Sequence, residues 1–388
     1  MPSAMGHATV MTPNEIALAR LRNQRIASTS FMEPEQVVSW LGAVQAQDYA
    51  GARWSVGLRL PGSRAEDVDR AIAGRRIVLT WALRGTLHLV AAVDVRWMLA
   101  LLAPRVIAGR ASRYRQLGLD EGDFSACERI LERTLEGGRR LSRRAVLSSL
   151  EVAGIATDGQ RGYHLLSRAA LDGVICFGPR EGRQQTFVLL DEWAPRSGPV
   201  ARETALGQLA LRYFASHGPA TLQDFAWWSG LTAADARSGI AVAGPDLHHE
   251  IAGGLVSWRA DAVPSPTPAS PFAVLLPAYD EYILGYRDRT HAIDSRDLER
   301  VRLVNGLALP ILVDGRVRGT WRRTFTKDAI RISLSFLDPP TKTSGSPPSP
   351  RQSGTAVSSG GGSRSPDLVP VTTTAPQGPG RWSSRRWA

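Results

Sequence analysis

Apolar residues recur at helical spacing through Val37, Val38, Trp40, Leu41 and Val44, which predicts a helix over residues 35–44. That stretch ends in two amides, Gln45 and Gln47, separated by Ala46 and followed by Asp48 and Tyr49. Amides at the end of an apolar run are costly to bury unless they find partners. Upstream, Asn14 stands where it would cap a helix beginning at Glu15. Downstream, the pattern predicts a helix over 65–74, a strand over 78–90 and a helix over 94–107. Tyr49, Ala50 and Gly51 read as a break in the chain.

The same order returns. Helices are predicted over 126–135, from Leu141-Ser142-Arg143 to near Gly154, and over 162–171. Two strands follow, 173–178 and 185–190, around a charged, Gly-containing turn. A third series has helices over 203–217, 221–228 and 232–241, then strands near 247–251 and 255–259. Three helices and a charged hairpin make the winged-helix plan, a variant of helix-turn-helix. The expected fold is therefore α+β. Tandem winged-helix units would occupy 13–110, 122–195 and 201–262. A Pro-rich linker (264–271) leads to a small β-rich region over 272–336, with a hairpin turn at Asp314-Gly315. Residues 338–388 are rich in Ser, Pro, Thr, Gly and Arg without aliphatic periodicity, and are expected to be a disordered tail.

Charge sharpens the picture. The chain has 388 residues, a net charge of +11 and 47 basic residues, of which all but Lys327 and Lys342 are arginine. Guanidinium groups pair bidentately with phosphate, and a basic excess favours nucleic acid as partner. The tail from Asp338 onward carries six basic and two acidic residues, so the body keeps 11 − 4, or +7. Two cysteines without motif spacing fit neither a disulfide framework nor a thiolate zinc site. Apolar runs are too short to span a bilayer, and a cytoplasmic monomer is expected.

The polar pair and the segment Arg84-Gly85-Thr86-Leu87-His88 together resemble the AlkZ-like family of winged-helix DNA glycosylases. Its members carry a Gln-aliphatic-Gln motif that binds the attacking water, then an Arg-x-Thr/Ser-x-His segment. The resemblance runs over roughly residues 10–336. It implies that Gln45 and Gln47 are catalytic. A glutamine is neither a strong base nor a nucleophile, but its amide can orient a water. That suffices where the leaving group is a cationic, alkylated purine, whose glycosidic bond breaks readily. Positions i and i+2 share a face only in extended chain, so the helix must end near Ala46. On the residues alone, the two glutamines read first as capping a helix end or binding backbone. Asp48, one residue late, reads as a cap or a surface carboxylate.

Arg84, Thr86 and His88 would share one strand face and contact DNA, the alternative for His88 being a place in the core. His164, Ser167 and Arg168 would share the DNA-reading face of a recognition helix. Arg180 and Arg183 suit a wing, and Arg139, Arg140, Arg143 and Arg144 form the densest basic cluster of the body. Asp280 and Glu281 are expected to pair with Arg287 and Arg289. His248-His249 lacks metal-ligand spacing, and no metal or cofactor is implied. The lysines lie far from the motif, so no Schiff-base lyase step is expected. Two functions follow: a monofunctional DNA glycosylase that removes alkylated bases from double-stranded DNA by water attack at C1′, or a non-catalytic winged-helix DNA-binding protein or transcriptional regulator.

Overall fold

A computed structural model describes residues 11–182, 184–260, 270–301, 309–325 and 330–338. All of the expected tail beyond Asp338 therefore lies outside the described residues, as do most of the linker and Arg183.

Helix α1 (Pro13–Asn23) is capped by Thr12 rather than Asn14, because Thr12 and Glu15 form a reciprocal capping box. Helix α2 (Pro34–Leu41) ends earlier than the apolar spacing suggests. Gly42 takes a φ of +81°, and the chain is already extended in β1 (Val44–Gln45). Helical geometry is thus lost before the polar pair. Asp48 then accepts from the N–H of Ala50 (3.1 Å) and opens α3 (Tyr49–Leu58). The residues read as a break are instead that helix's first turn.

After α4 (Ala65–Ala73), the single strand expected over 78–90 is a hairpin of β2 (Ile77–Trp81) and β3 (Leu87–Ala91). Arg84 and Gly85 between them have φ of +54° and +70°, which an extended strand cannot accommodate. Helix α5 (Val95–Gln116) runs past its expected end, carrying Pro104 within it. Next come α6 (Glu121–Leu135), β4 (Leu141–Ser142), α7 (Arg143–Val152), α8 (Arg161–Leu171), β5 (Ile175–Glu181), β6 (Gln184–Leu189) and α9 (Leu190–Trp193). Then follow α10 (Arg202–His217), α11 (Leu222–Ser229), α12 (Ala233–Val242) and the hairpin β7 (Leu247–Ala252) and β8 (Leu255–Ala260). Strand β9 (Ala273–Leu275), α13 (Glu281–Leu284), β10 (Pro310–Val313), β11 (Arg316–Phe325) and β12 (Ile330–Phe336) complete the described chain.

The first two expected units share one antiparallel sheet, ordered β1-β3-β2-β5-β6-β4, with β2 and β5 meeting at Leu79 and Phe177. Its alternating side chains feed two cores. Ile77, Leu79, Trp81, Leu89, Ile175, Phe177 and Phe187 point into one, with α2–α8. Val78, Val90, Cys176 and Val188 point into the other, against α5 and α10–α12. A sheet buried on both faces needs continuous apolar strands, which is what Ile77-Val78-Leu79 supplies. The C-terminal sheet, ordered β12-β11-β10-β9, builds a third core with Leu21, Ile26 and α13. Arg59 and Asp280 lock that region to α3 through a fully buried ion pair (2.9 Å), with Ser55 also donating to Asp280 (2.6 Å).

Candidate active site at the β1 edge

Gln45 lies on the outermost strand of the six-stranded sheet, directly opposite His88 on β3, which in turn faces Thr80 on β2. The N–H of Ala46 donates to the Leu87 carbonyl (2.7 Å), so the extended geometry continues past Gln45. The N–H of Leu87 donates to Gln47 Oε1 (3.3 Å). Gln47 is exposed and Gln45 is 7% exposed. One amide is therefore sunk into the edge of the sheet and the next stands at its rim.

Gln45 Oε1 accepts from Arg84 Nη2 (3.0 Å), and its backbone N–H donates to Glu281 Oε1 (3.2 Å). Arg84 Nη1 also donates to the carbonyl of Trp228, whose indole N–H donates to Glu281 Oε2 (2.9 Å). His217 stands 3.6 Å from the same carboxylate. Burial alone would raise the Glu281 carboxyl, but His217, His88 and Arg84 outweigh it and hold it below its ordinary value. A buried anion therefore sits directly beneath the first glutamine.

His88 is 1% exposed. Its Nδ1 lies 2.9 Å from the Thr86 carbonyl, which can only accept, so Nδ1 carries the proton. Burial first, and then the Arg84 charge, push the imidazole down to about 4. A buried, neutral ring matches the alternative of a place in the core rather than the DNA contact expected from strand alternation. Arg84 sits in the turn rather than the strand, and Thr86 hydrogen-bonds the Leu83 carbonyl (3.2 Å).

The expected recognition face of α8 is turned inward. Ser167 is fully buried between the His164 carbonyl (3.2 Å) and Arg110 (3.0 Å), and His164 packs edge-on against Tyr114. Arg168 is engaged by Asp172 (2.6 Å) and Glu121 (3.0 Å). By contrast, Arg139, Arg140, Arg143, Arg144 and Arg180 are exposed. Arg180 lies over the Tyr49 ring (4.8 Å), which brings the β5–β6 hairpin against the start of α3, two residues beyond Gln47. A cavity of about 1100 Å³, lined by Trp40, Val93 and Leu211 among others, opens beyond Ala91, at the end of β3 remote from His88.

The sequence model for AlkZ-like DNA glycosylases matches residues 38–352. The chain belongs to the AlkZ-like DNA glycosylase family. An interstrand DNA cross-link repair glycosylase of Streptomyces sahachiroi is 26% identical over 321 residues, covering 78% of this chain and 85% of that protein. The solved structure of Streptomyces sahachiroi DNA glycosylase AlkZ superposes with a TM-score of 0.70 at 22% identity, over 87% of this chain and 93% of that one. At that identity the superposition speaks to the mixed helix-and-sheet fold.

In this AlkZ-like chain the residues missed from sequence are those that surround Gln45. Asp280 pairs with Arg59, just past the end of α3, rather than with Arg287 or Arg289, and Glu281 meets Gln45 and Trp228. Two carboxylates beside the apolar run Tyr282-Ile283-Leu284 do signal burial and hence a need for partners. Which partners they take is set by chain packing, which spacing cannot reveal. Among the described residues no cluster of His, Cys, Asp or Glu is arranged to hold a metal ion, and no helix is long and apolar enough to cross a membrane.

Proposed function

We propose that this chain is a monofunctional DNA repair glycosylase that releases alkylated, cationic bases from double-stranded DNA, with Gln45 and Gln47 orienting the water. The observation that carries the reading is the geometry of the two amides. They lie two residues apart in extended chain, and each carboxamide oxygen already faces a protein donor, Arg84 for one and Leu87 for the other. Each oxygen retains a second lone pair that can accept a hydrogen from water. The water oxygen then bonds C1′ while the C1′–N bond breaks, its electron pair cancelling the positive charge on the base. The surplus proton passes to bulk water.

Binding would rest on the exposed arginines. Helices α6–α8 followed by the β5–β6 hairpin fit a winged-helix reading, and Arg139, Arg140, Arg143, Arg144 and Arg180 lie on its outside. Phosphate contacts of this kind supply affinity without sequence preference.

The test is base release from duplex DNA containing N7-methylguanine. Gln47→Ala and Gln45→Ala should each slow excision by about 100-fold with DNA affinity largely kept. The double variant should lose little more, because both amides act on one water. Asp48→Asn is the control, since Asp48 caps α3. Loss of excision in Asp48→Asn, with both glutamine variants active, would point to a carboxylate mechanism. Wild-type protein that binds DNA and releases no alkylated base would be a DNA-binding regulator instead.

A further inference from the structure

A water-holding amide must itself be held. Four hydrogen bonds around Gln45 close into a ring. Arg84 Nη2 donates to Gln45 Oε1 (3.0 Å), and Arg84 Nη1 donates to the Trp228 carbonyl. Trp228 Nε1 donates to Glu281 Oε2 (2.9 Å), and Glu281 Oε1 accepts the backbone N–H of Gln45 (3.2 Å). The four members come from β1, the turn after β2, α11 and the start of α13.

The geometry points to Arg84, Trp228 and Glu281 as positioning residues that fix Gln45 in one rotamer and one amide orientation. This rests on the water-orienting role proposed for Gln45. The chemistry of the members dictates the orientation. A guanidinium has donors and no acceptor, so it can meet only the oxygen of the carboxamide, and Nε2 must point the other way. A carboxylate has acceptors only, so it holds the Gln45 backbone and the indole together without competing for the Gln45 side chain. The two opposite charges offset each other, which lets Glu281 stay buried and Arg84 half-buried beside a neutral amide. The ring also reassigns Arg84. Its guanidinium already bridges Gln45 and Trp228, so it supports the site from within rather than meeting phosphate.

Two further features fit a support built for position. Arg84 keeps a φ of +54°, unfavourable for an L side chain, and the turn is clasped by Arg110 Nη2 on the Gly85 carbonyl (2.8 Å). Gly42, where α2 gives way to β1, lies against the Trp228 ring, and a Cβ there would come within 3.1 Å of it. Both flanks of the ring are thereby fixed by backbone.

The experiment is a double-mutant cycle on single-turnover excision of N7-methylguanine, with duplex affinity and melting temperature measured alongside. Trp228→Phe removes the indole donor and keeps an aromatic ring, at a smaller volume. Arg84→Lys keeps the charge and loses the bridge. Each should slow excision by about 100-fold, the size of loss that a misplacement of about 1 Å can cause, with affinity changed less than about twofold. Either change combined with Gln45→Ala, or with Gln47→Ala, should add almost nothing, because the positioning residues and both amides act on the same water. Should Trp228→Phe melt early and obscure its result, Arg84→Lys carries the cycle. Wild-type rates in both variants, or losses that multiply with Gln45→Ala, would overturn the positioning role while leaving the glycosylase reading intact. A wild-type protein inactive on the lesion would remove that reading, and this one with it.

Discussion

His88 couples the site to pH. Its imidazole is held down at about 4 by burial and by Arg84, with Glu281 pulling the other way. In the unfolded chain the same ring titrates near 6.5. As pH falls through 6.5 the unfolded state takes up a proton that the native state refuses. Native stability therefore drops between pH 6.5 and 4, and the His88 contribution is flat below that. A shift of this size is worth roughly 3 kcal/mol. Asp280 and Glu281, whose carboxyls are held low, lose stability in the same direction further down the scale. We expect the melting temperature to fall steadily from pH 6.5 to 4.5. We expect His88→Asn, which can still donate to the Thr86 carbonyl, to flatten that slope relative to wild type. Parallel slopes for the two proteins would show that His88 is protonated in the native state after all.

At the scale of elements, α7 carries its two arginines where a helix least favours them. Arg143 and Arg144 open the helix behind the Ser142 cap, with no acidic residue in the first turn and no hydrogen-bond or ion-pair partner among the described residues. Positive charge at a helix N-terminus is unfavourable by a few tenths to about 1 kcal/mol. The same cost disappears when a phosphate stands outside. Arg143→Glu with Arg144→Glu should therefore leave melting unchanged or slightly raised while weakening duplex binding. The slope of log affinity against log salt should flatten by about 2. Unaltered binding in titrations at several salt concentrations would remove α7 from the DNA surface. The cluster was legible in the sequence because charge needs no partner to be seen. The α8 face was not, because helical spacing shows which residues share a face and says nothing about what covers it. Ser167 lies on such a face, and Arg110 of α5 covers it. Likewise the Gln-Ala-Gln pair was legible as a motif, whereas its support by Trp228 and Glu281 depends on contacts from distant segments.

At the scale of the molecule, the repeated helix-and-hairpin order suggested separable units, and the strand pattern itself points to a closer union. Ile77, Val78, Leu79 and Trp81 follow one another with only Thr80 between, too apolar for a hairpin with one wet face. Trp81 packs on Phe177 (4.9 Å) and edge-on against Tyr163 (5.9 Å), both from the second stretch. Val78 and Val90 meet α10–α12 from the third. A fragment ending at Gly118 would expose all of these. Each large apolar side chain returned to water costs about 1.5–3 kcal/mol, so the five that belong to the fragment cost roughly 8–15 kcal/mol, as much as the ~5–15 kcal/mol that typically holds a domain folded. The fragment 1–118 should therefore be largely unfolded, with poor amide dispersion in its NMR spectrum and no cooperative melt. A chain through Leu337, which keeps all three cores, should melt in one transition. A well-dispersed spectrum from 1–118 would mean that the first unit folds alone and that the shared sheet is a docking surface between finished domains.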